Sequence, residues 1–238
     1  MSSKYEKMKI TLSGAQGSGK TTLMNDWSKK HNSPILRAAT RLNLPEGAKN
    51  HLDIIKLAST EPEKGIEFQD SLIKQRFKLF ESANDGFISD RSVFDSYVYY
   101  AITNSPFSTP QKDLELLTIA YQSITLTDLI VILDPRIAFN IQDDNVRLVA
   151  PSYYSIFFPV LYKTLSDCAT AHEIEYCDFR IKLNEEINGI LSVSTDKRFS
   201  SFFVMNESVS EKGIFSRENR IELIEKACDF LDKYRKGN

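Results

Sequence analysis

The sequence predicts an α/β protein in which a parallel sheet carries helices on both faces. Three observations predict it. A short apolar strand, residues 8–13 (MKITLS), runs directly into the glycine-rich GAQGSGKTT. Strand-length segments alternate with segments of helical periodicity along most of the chain. One of them, residues 128–133 (DLIVIL), is the continuous apolar run of a strand buried on both faces.

The elements follow in order. After the glycine-rich loop a helix is expected to about His31, with Leu23 and Trp27 at i, i+4 spacing. Pro34–Leu36 reads as a second strand, and residues 38–60 as loop plus a short helix. Residues 63–83 form a long amphipathic helix with Ile66, Ile73, Phe77 and Phe80 on one stripe, ended by Asn84-Asp85-Gly86. Residues 86–90 (GFISD) form the third strand. Ser92 with Asp95 three residues on reads as a capped helix start, and a further helix covers 110–124. The fourth strand, 128–133, closes at Asp134-Pro135, which ends a strand without further role. Residues 134–150 are irregular, and 151–171 read as an aromatic-rich helix. A fifth strand falls at 173–178, with a helix near 181–191. Residues 193–216 break the rhythm, and the RFSSFFVM segment there is expected as an edge strand. A final helix covers about 217–235. The expected organisation is one domain over 1–192 and an extension over 193–238 packed on it.

Composition excludes several classes. Hydrophobic residues make up 42% and charged residues 26%, an ordinary globular balance, and the formal net charge of −2 offers no global field for nucleic acid. Cys168, Cys177 and Cys228 match no metal or redox spacing and read as free thiols. The N-terminal MSSKYEKMKI has no apolar core of a signal peptide, and no run has the length of a membrane helix. The expected location is the cytoplasm, or the host cytoplasm if the gene is phage-borne, with no membrane partner and a monomeric or homodimeric state.

Gly14-Ala15-Gln16-Gly17-Ser18-Gly19-Lys20-Thr21, with Thr22 following, fits G-x-x-x-x-G-K-[ST] between a strand and a helix, the context the motif requires. Glycines let backbone N–H groups approach a polyphosphate, the helix N-terminus favours its charge, and Lys20 adds a cation. The Thr21 hydroxyl suits Mg²⁺. These residues point to ATP with Mg²⁺. A phosphate loop also needs an acid. Asp90, in FISDRS, is the candidate to hold the metal shell or take a substrate proton, and Arg91 beside it to grip an anion.

In this order, GAQGSGKTT, FISDRSVFDSYVYY, DLIVILDP and IQDDNVR resemble the P-loop nucleoside and nucleotide kinases over about residues 8–190. The similarity is strongest to the ribosylnicotinamide kinase domain of NadR-type proteins and their phage relatives, with thymidylate kinases more distant. The resemblance implies the P-loop kinase fold, a five-stranded parallel sheet with a mobile lid, here about 134–150. It also implies phosphoryl transfer from ATP and Mg²⁺ to a hydroxyl of a nucleoside-like acceptor. Residue by residue it implies Lys20, Asp90, Arg91 and the lid's Arg147 as catalytic, and Thr21 and Asp90 at the metal. Asn145 replaces the usual lid glycine. Arg41 fits the family's acceptor element, but Ala38 stands where an acid is usual, and no adenylyltransferase domain is expected. Phage relatives include kinases of 5-hydroxymethyluracil within DNA. A base-borne hydroxyl is therefore among the acceptors, with Arg37, Arg41 and Lys49 on phosphates and Tyr97, Tyr99, Tyr100, Tyr153 or Tyr154 as stacking candidates. The competing reading is an ATPase or nucleotide-dependent switch. Against a GTP switch, Asn-Lys-x-Asp is absent from the sequence.

Overall fold

The computed structural model describes residues 3–15, 17–37, 44–45, 48, 51–134, 151–183, 186–206 and 217–237. The chain runs β1 (Lys9–Ser13), α1 (Lys20–His31), β2 (Ile35–Leu36), α2 (His51–Thr60), α3 (Pro62–Glu81), β3 (Phe87–Asp90) and α4 (Val93–Thr103). It continues through α5 (Pro110–Gln122), β4 (Leu129–Asp134), α6 (Pro151–Ala171), β5 (Tyr176–Leu183), β6 (Glu186–Ser194), β7 (Ser201–Asn206) and α7 (Arg217–Gly237).

The sheet has seven strands in the order β2-β3-β1-β4-β7-β6-β5. The contiguous strands from β2 to β7 are parallel, and β6 runs against both of its neighbours. Each central strand splits its side chains between two cores. Leu12, Val131 and Phe203 face Leu23 and Trp27 of α1 and Ile224 and Leu231 of α7. Ile130, Ile132 and Phe202 face Val98 and Tyr100 of α4 and Phe157 and Leu161 of α6. This two-faced burial is the α/β architecture the strand pattern predicts.

The fifth parallel strand is not the expected one. Residues 201–206 take the interior place beside β4, paired along their whole length, whereas the strand beginning at Tyr176 lies at the far edge. Phe202 and Phe203 are buried on opposite faces, which a central strand requires and an edge strand does not. The helix expected near 181–191 is also absent. Phe179, Ile181 and Leu183 turn to the α7 side while Asp178, Arg180 and Lys182 are exposed, so the segment has period two and forms a hairpin with β6. The expected boundary at 192/193 falls inside β6, and β7 beyond it belongs to the same sheet. Among the described residues, no helix is long and apolar enough to cross a membrane. The three cysteines are free, Cys168 and Cys228 being buried.

α7 is clamped to the phosphate-loop helix. Glu225 Oε1 stands 2.6 Å from Lys30 Nζ and 2.9 Å from His31 Nε2, and the His31 ring packs 4.2 Å from the Trp27 ring. Burial lowers the His31 pKa below its ordinary value against the opposing pull of Glu225. The fold therefore holds the neutral ring, the unfolded chain takes the proton first, and this contribution is lost as pH falls through about 6.5.

Two outcomes test this packing. A Cβ at Gly189 would meet the Phe203 ring and stand 2.8 Å from Val204 O, so Gly189→Ala is expected to destabilise. The loss is roughly 1–3 kcal/mol, read as a lower denaturant midpoint at unchanged slope. For His31→Asn, the fall in melting temperature between about pH 7.5 and about pH 5.5 is expected to be smaller than in the wild type, from a lower start.

Candidate active site

The site lies at the C-terminal ends of β1 and β3. Their register pairs Leu12 with Asp90, so the chain leaves β1 for the loop at the level of the Asp90 carboxylate. Gly14, Gly17 and Gly19 have φ of 140°, 81° and 80°. Gly19 needs its hydrogen twice over, because its backbone is left-handed and a Cβ would stand 2.7 Å from Arg220 Nη1. The helix α1 that follows has no side-chain cap and no acid in its first turn, whereas α4 has a full capping box and α5 is capped by Thr109. An uncapped N-terminus under a glycine loop is built for an anion. Lys20 is 4% exposed and turns its Nζ into the loop, onto Ala15 O and onto Ser18 Oγ at 3.0 Å.

Asp95 joins the loop to the segment after β3. It is fully buried. Its carboxylate accepts from Ser13 Oγ at 2.6 Å, Gly14 N at 2.9 Å, Ser92 N at 2.8 Å and Ser92 Oγ at 2.6 Å. The capping pair read from the sequence is therefore present, and the same acid also reaches the strand-to-loop turn.

The Thr21 hydroxyl donates to Asp90 Oδ2, and Asp90 Oδ1 is buried without a hydrogen-bond partner. Burial raises the Asp90 pKa, but Lys20, Arg91, the Thr21 hydrogen bond and Arg76 outweigh it and hold the carboxyl below its ordinary value. Arg91 adopts φ 86°, an uncommon conformation for a residue with a side chain, and its N donates to Leu12 O at 2.8 Å. Its guanidinium lies over the Tyr99 ring, 4.6 Å from the centroid, with Nη1 buried and without a hydrogen-bond partner. Burial alone would lower its pKa; Tyr99, Asp90 and Asp95 raise it above the ordinary value. Arg76 of α3 is 3% exposed and bonds Ser96 Oγ at 2.9 Å and Ser92 O at 3.2 Å. Burial and Arg91 push it down to about 10, which leaves it charged at neutral pH.

The structure thus brings together the loop, Lys20, Thr21, Asp90 and Arg91. Tyr99 stands beside them, while Tyr97 turns toward Tyr100, and its pKa is raised by burial and Asp113 of α5. Arg37 is exposed at the end of β2, bonding Asn25 at 2.7 Å. Gln16, Arg41, Lys49 and Arg147 lie outside the described residues, as do the side chains of Tyr153 and Tyr154. Arg76 is the residue that sequence reasoning misses. A cation on the apolar stripe of α3, between Ile73 and Phe80, is the signal that marks it.

Removing the Asp95 carboxylate orphans donors on both segments. Asp95→Ala is expected to cost roughly 3 kcal/mol or more, read by denaturant titration, and Asp95→Asn less.

A sequence profile of the AAA domain family (AAA_28) matches residues 9–183. Among curated proteins none matches the chain significantly. Solved structures do. A deoxyadenosine kinase from M. mycoides, with dCMP and dCDP bound, superposes with a TM-score of 0.53 at 16% identity, covering 94% of this chain and 100% of that one. The same enzyme with dCTP gives 0.50 at 16% identity, covering 94% and 100%. NadR in complex with NR gives 0.51 at 12% identity, covering 93% of this chain and 51% of NadR, so the chain spans about half of that protein. The phosphate loop at the end of β1 and the profile match over 9–183 place the chain in the AAA domain family, with the fold of the P-loop nucleoside and nucleotide kinases.

Proposed function

We propose that the protein is a kinase that transfers the γ-phosphate of ATP to a hydroxyl of a nucleoside-like acceptor. The observation that carries the proposal is the Asp90 carboxylate. It is ionised, hydrogen-bonded by Thr21, flanked by Lys20 and Arg91, and keeps one buried oxygen without a hydrogen-bond partner.

In this reading the loop amides and Lys20 hold the β- and γ-phosphates, Lys20 exchanging its contacts on Ala15 and Ser18 for phosphate oxygens. Thr21 and Asp90 offer only oxygen donors, a set that suits Mg²⁺, and they would hold it near the phosphates. When bound, that ion neutralises developing charge on the bridging oxygens. Asp90 orients the acceptor hydroxyl and accepts its proton. Arg91, pinned by Tyr99, contributes a fixed positive charge toward the transferring group, and Arg76 holds the Ser92–Ser96 turn that carries it. Arg147 is proposed as the lid arginine. The lean on a nucleoside acceptor comes from the family resemblance and from the fold, which a deoxyadenosine kinase and NadR share.

The test is transfer of labelled γ-phosphate from ATP to nucleosides, nucleotides, ribosylnicotinamide and DNA with or without 5-hydroxymethyluracil. Label on one acceptor class is expected, and free phosphate alone would refute the proposal. Lys20→Ala is expected to lower kcat/KM about a thousandfold, and Asp90→Asn about a hundredfold with a smaller change in KM for ATP.

A further inference from the structure

The two edges of the sheet differ. At one, β2 is only two residues long, Ile35–Leu36. At the other, β5 runs for eight residues, Tyr176–Leu183, and pairs only with β6. Thr195 N donates to Glu175 O at 3.0 Å, which fixes the phase of the β5–β6 ladder. In an antiparallel strand alternate residues turn their N–H and C=O groups to the partner, and those between turn theirs away. Cys177 and Phe179 therefore bond toward β6, while the backbone groups of Asp178 and Arg180 face outward. Among the described residues no hydrogen bond reaches those outward groups. Farther along, Lys182 O accepts from Lys226 Nζ of α7 at 3.2 Å. The side chains of Asp178 and Arg180 are both exposed on one face, and among the described residues neither makes an ion pair. Phe179, half-buried on the other face, has its ring centroid 4.4 Å from that of Phe230 and 5.7 Å from that of Tyr234. An open edge of this length is a template for another strand, and proteins commonly blunt it with lysines, proline or a covering element. Here two charges of opposite sign stand two residues apart instead.

We propose that the free edge of β5 pairs antiparallel with β5 of a second copy of this chain, about a twofold axis at Phe179, and joins two seven-stranded sheets into one. The charges select the register. With the axis at Phe179, Asp178 lies directly opposite Arg180 of the second copy, and Arg180 opposite its Asp178. Each of these pairs exchanges both backbone hydrogen bonds through the outward-facing groups. Moving the axis to Asp178 sets two aspartates face to face, and moving it to Arg180 sets two arginines face to face, which like-charge repulsion disfavours. The edge is thus self-complementary in one register, as a twofold interface requires. On the opposite face the two Phe179 side chains meet at the axis in the closer, non-hydrogen-bonded type of pair. That contact carries the apolar layer of Phe179, Phe230 and Tyr234 across from one copy to the other.

Sedimentation equilibrium in reducing buffer tests this, the reductant keeping Cys177 from cross-linking. The wild-type 27.2 kDa chain is expected as a dimer at about 50 μM. Asp178→Arg and Arg180→Asp each place like charges opposite one another twice, and each is expected to weaken self-association at least tenfold. The decisive sample is the equimolar mixture of these two variants. The pairing makes both cross-strand contacts opposite in sign again in the mixture, so the dimer is expected to return. Both side chains are exposed, so the variants are expected to keep the wild-type circular dichroism spectrum. If either fails to fold, the double exchange Asp178→Arg with Arg180→Asp in one chain replaces the mixture and is expected to be dimeric. A monomeric wild type at that concentration overturns the proposal. So do single variants that dimerise as tightly as the wild type, and a mixture or double exchange that stays monomeric.

Discussion

The buried carboxylate of Asp95 is the interaction on which the site depends. Its acceptor positions are used within the protein, on Ser13 and Gly14 at the start of the phosphate loop and on Ser92 at the start of α4. A charged acceptor shielded from water makes strong hydrogen bonds and tolerates little displacement, because each donor it holds would otherwise be orphaned. The loop and the Asp90-Arg91-Ser92 turn are thereby fixed relative to one another, although about eighty residues separate them in the chain. The left-handed backbone at Arg91 is held between two fixed points, β3 and the capped helix, which is how a disfavoured conformation persists.

Around that node the charges are arranged unequally. Asp90 is ionised because Lys20, Arg91 and Arg76 outweigh its burial. Arg76 is buried and Arg91 is half-buried with its Nη1 enclosed, so solvent screens their positive charge less than that of a surface pair. Preorganised charge of this kind stabilises a transferring phosphoryl group without reorganising at the moment of reaction.

Much of this was legible in the sequence, for physical reasons that differ by element. The phosphate loop is legible because a local run of residues specifies the whole anion cradle. Asp90 and Arg91 are legible because a strand end next to such a loop has few places to put an acid. The Ser92–Asp95 cap is local and was read correctly, but its reach to Ser13 and Gly14 depends on the β1–β3 pairing, which no local pattern encodes. The same limit explains β7. Its apolar run is that of an interior strand, yet its place beside β4 is decided by which strand arrives to cover β4's free edge. The β5–β6 hairpin was misread because Leu183, Ile187 and Ile190 also suit a helical spacing, whereas the alternation of Phe179, Ile181 and Leu183 was the stronger signal.

The central claim, that this site moves a phosphoryl group to an acceptor hydroxyl, is tested most directly by stoichiometry. ADP formed and phosphorylated acceptor formed are counted together by mass spectrometry, with and without the acceptor. The account predicts that the two products appear in equal amounts and that ADP formation nearly stops when the acceptor is withheld. ADP formation at the same rate without acceptor, with free phosphate as the other product, would contradict it.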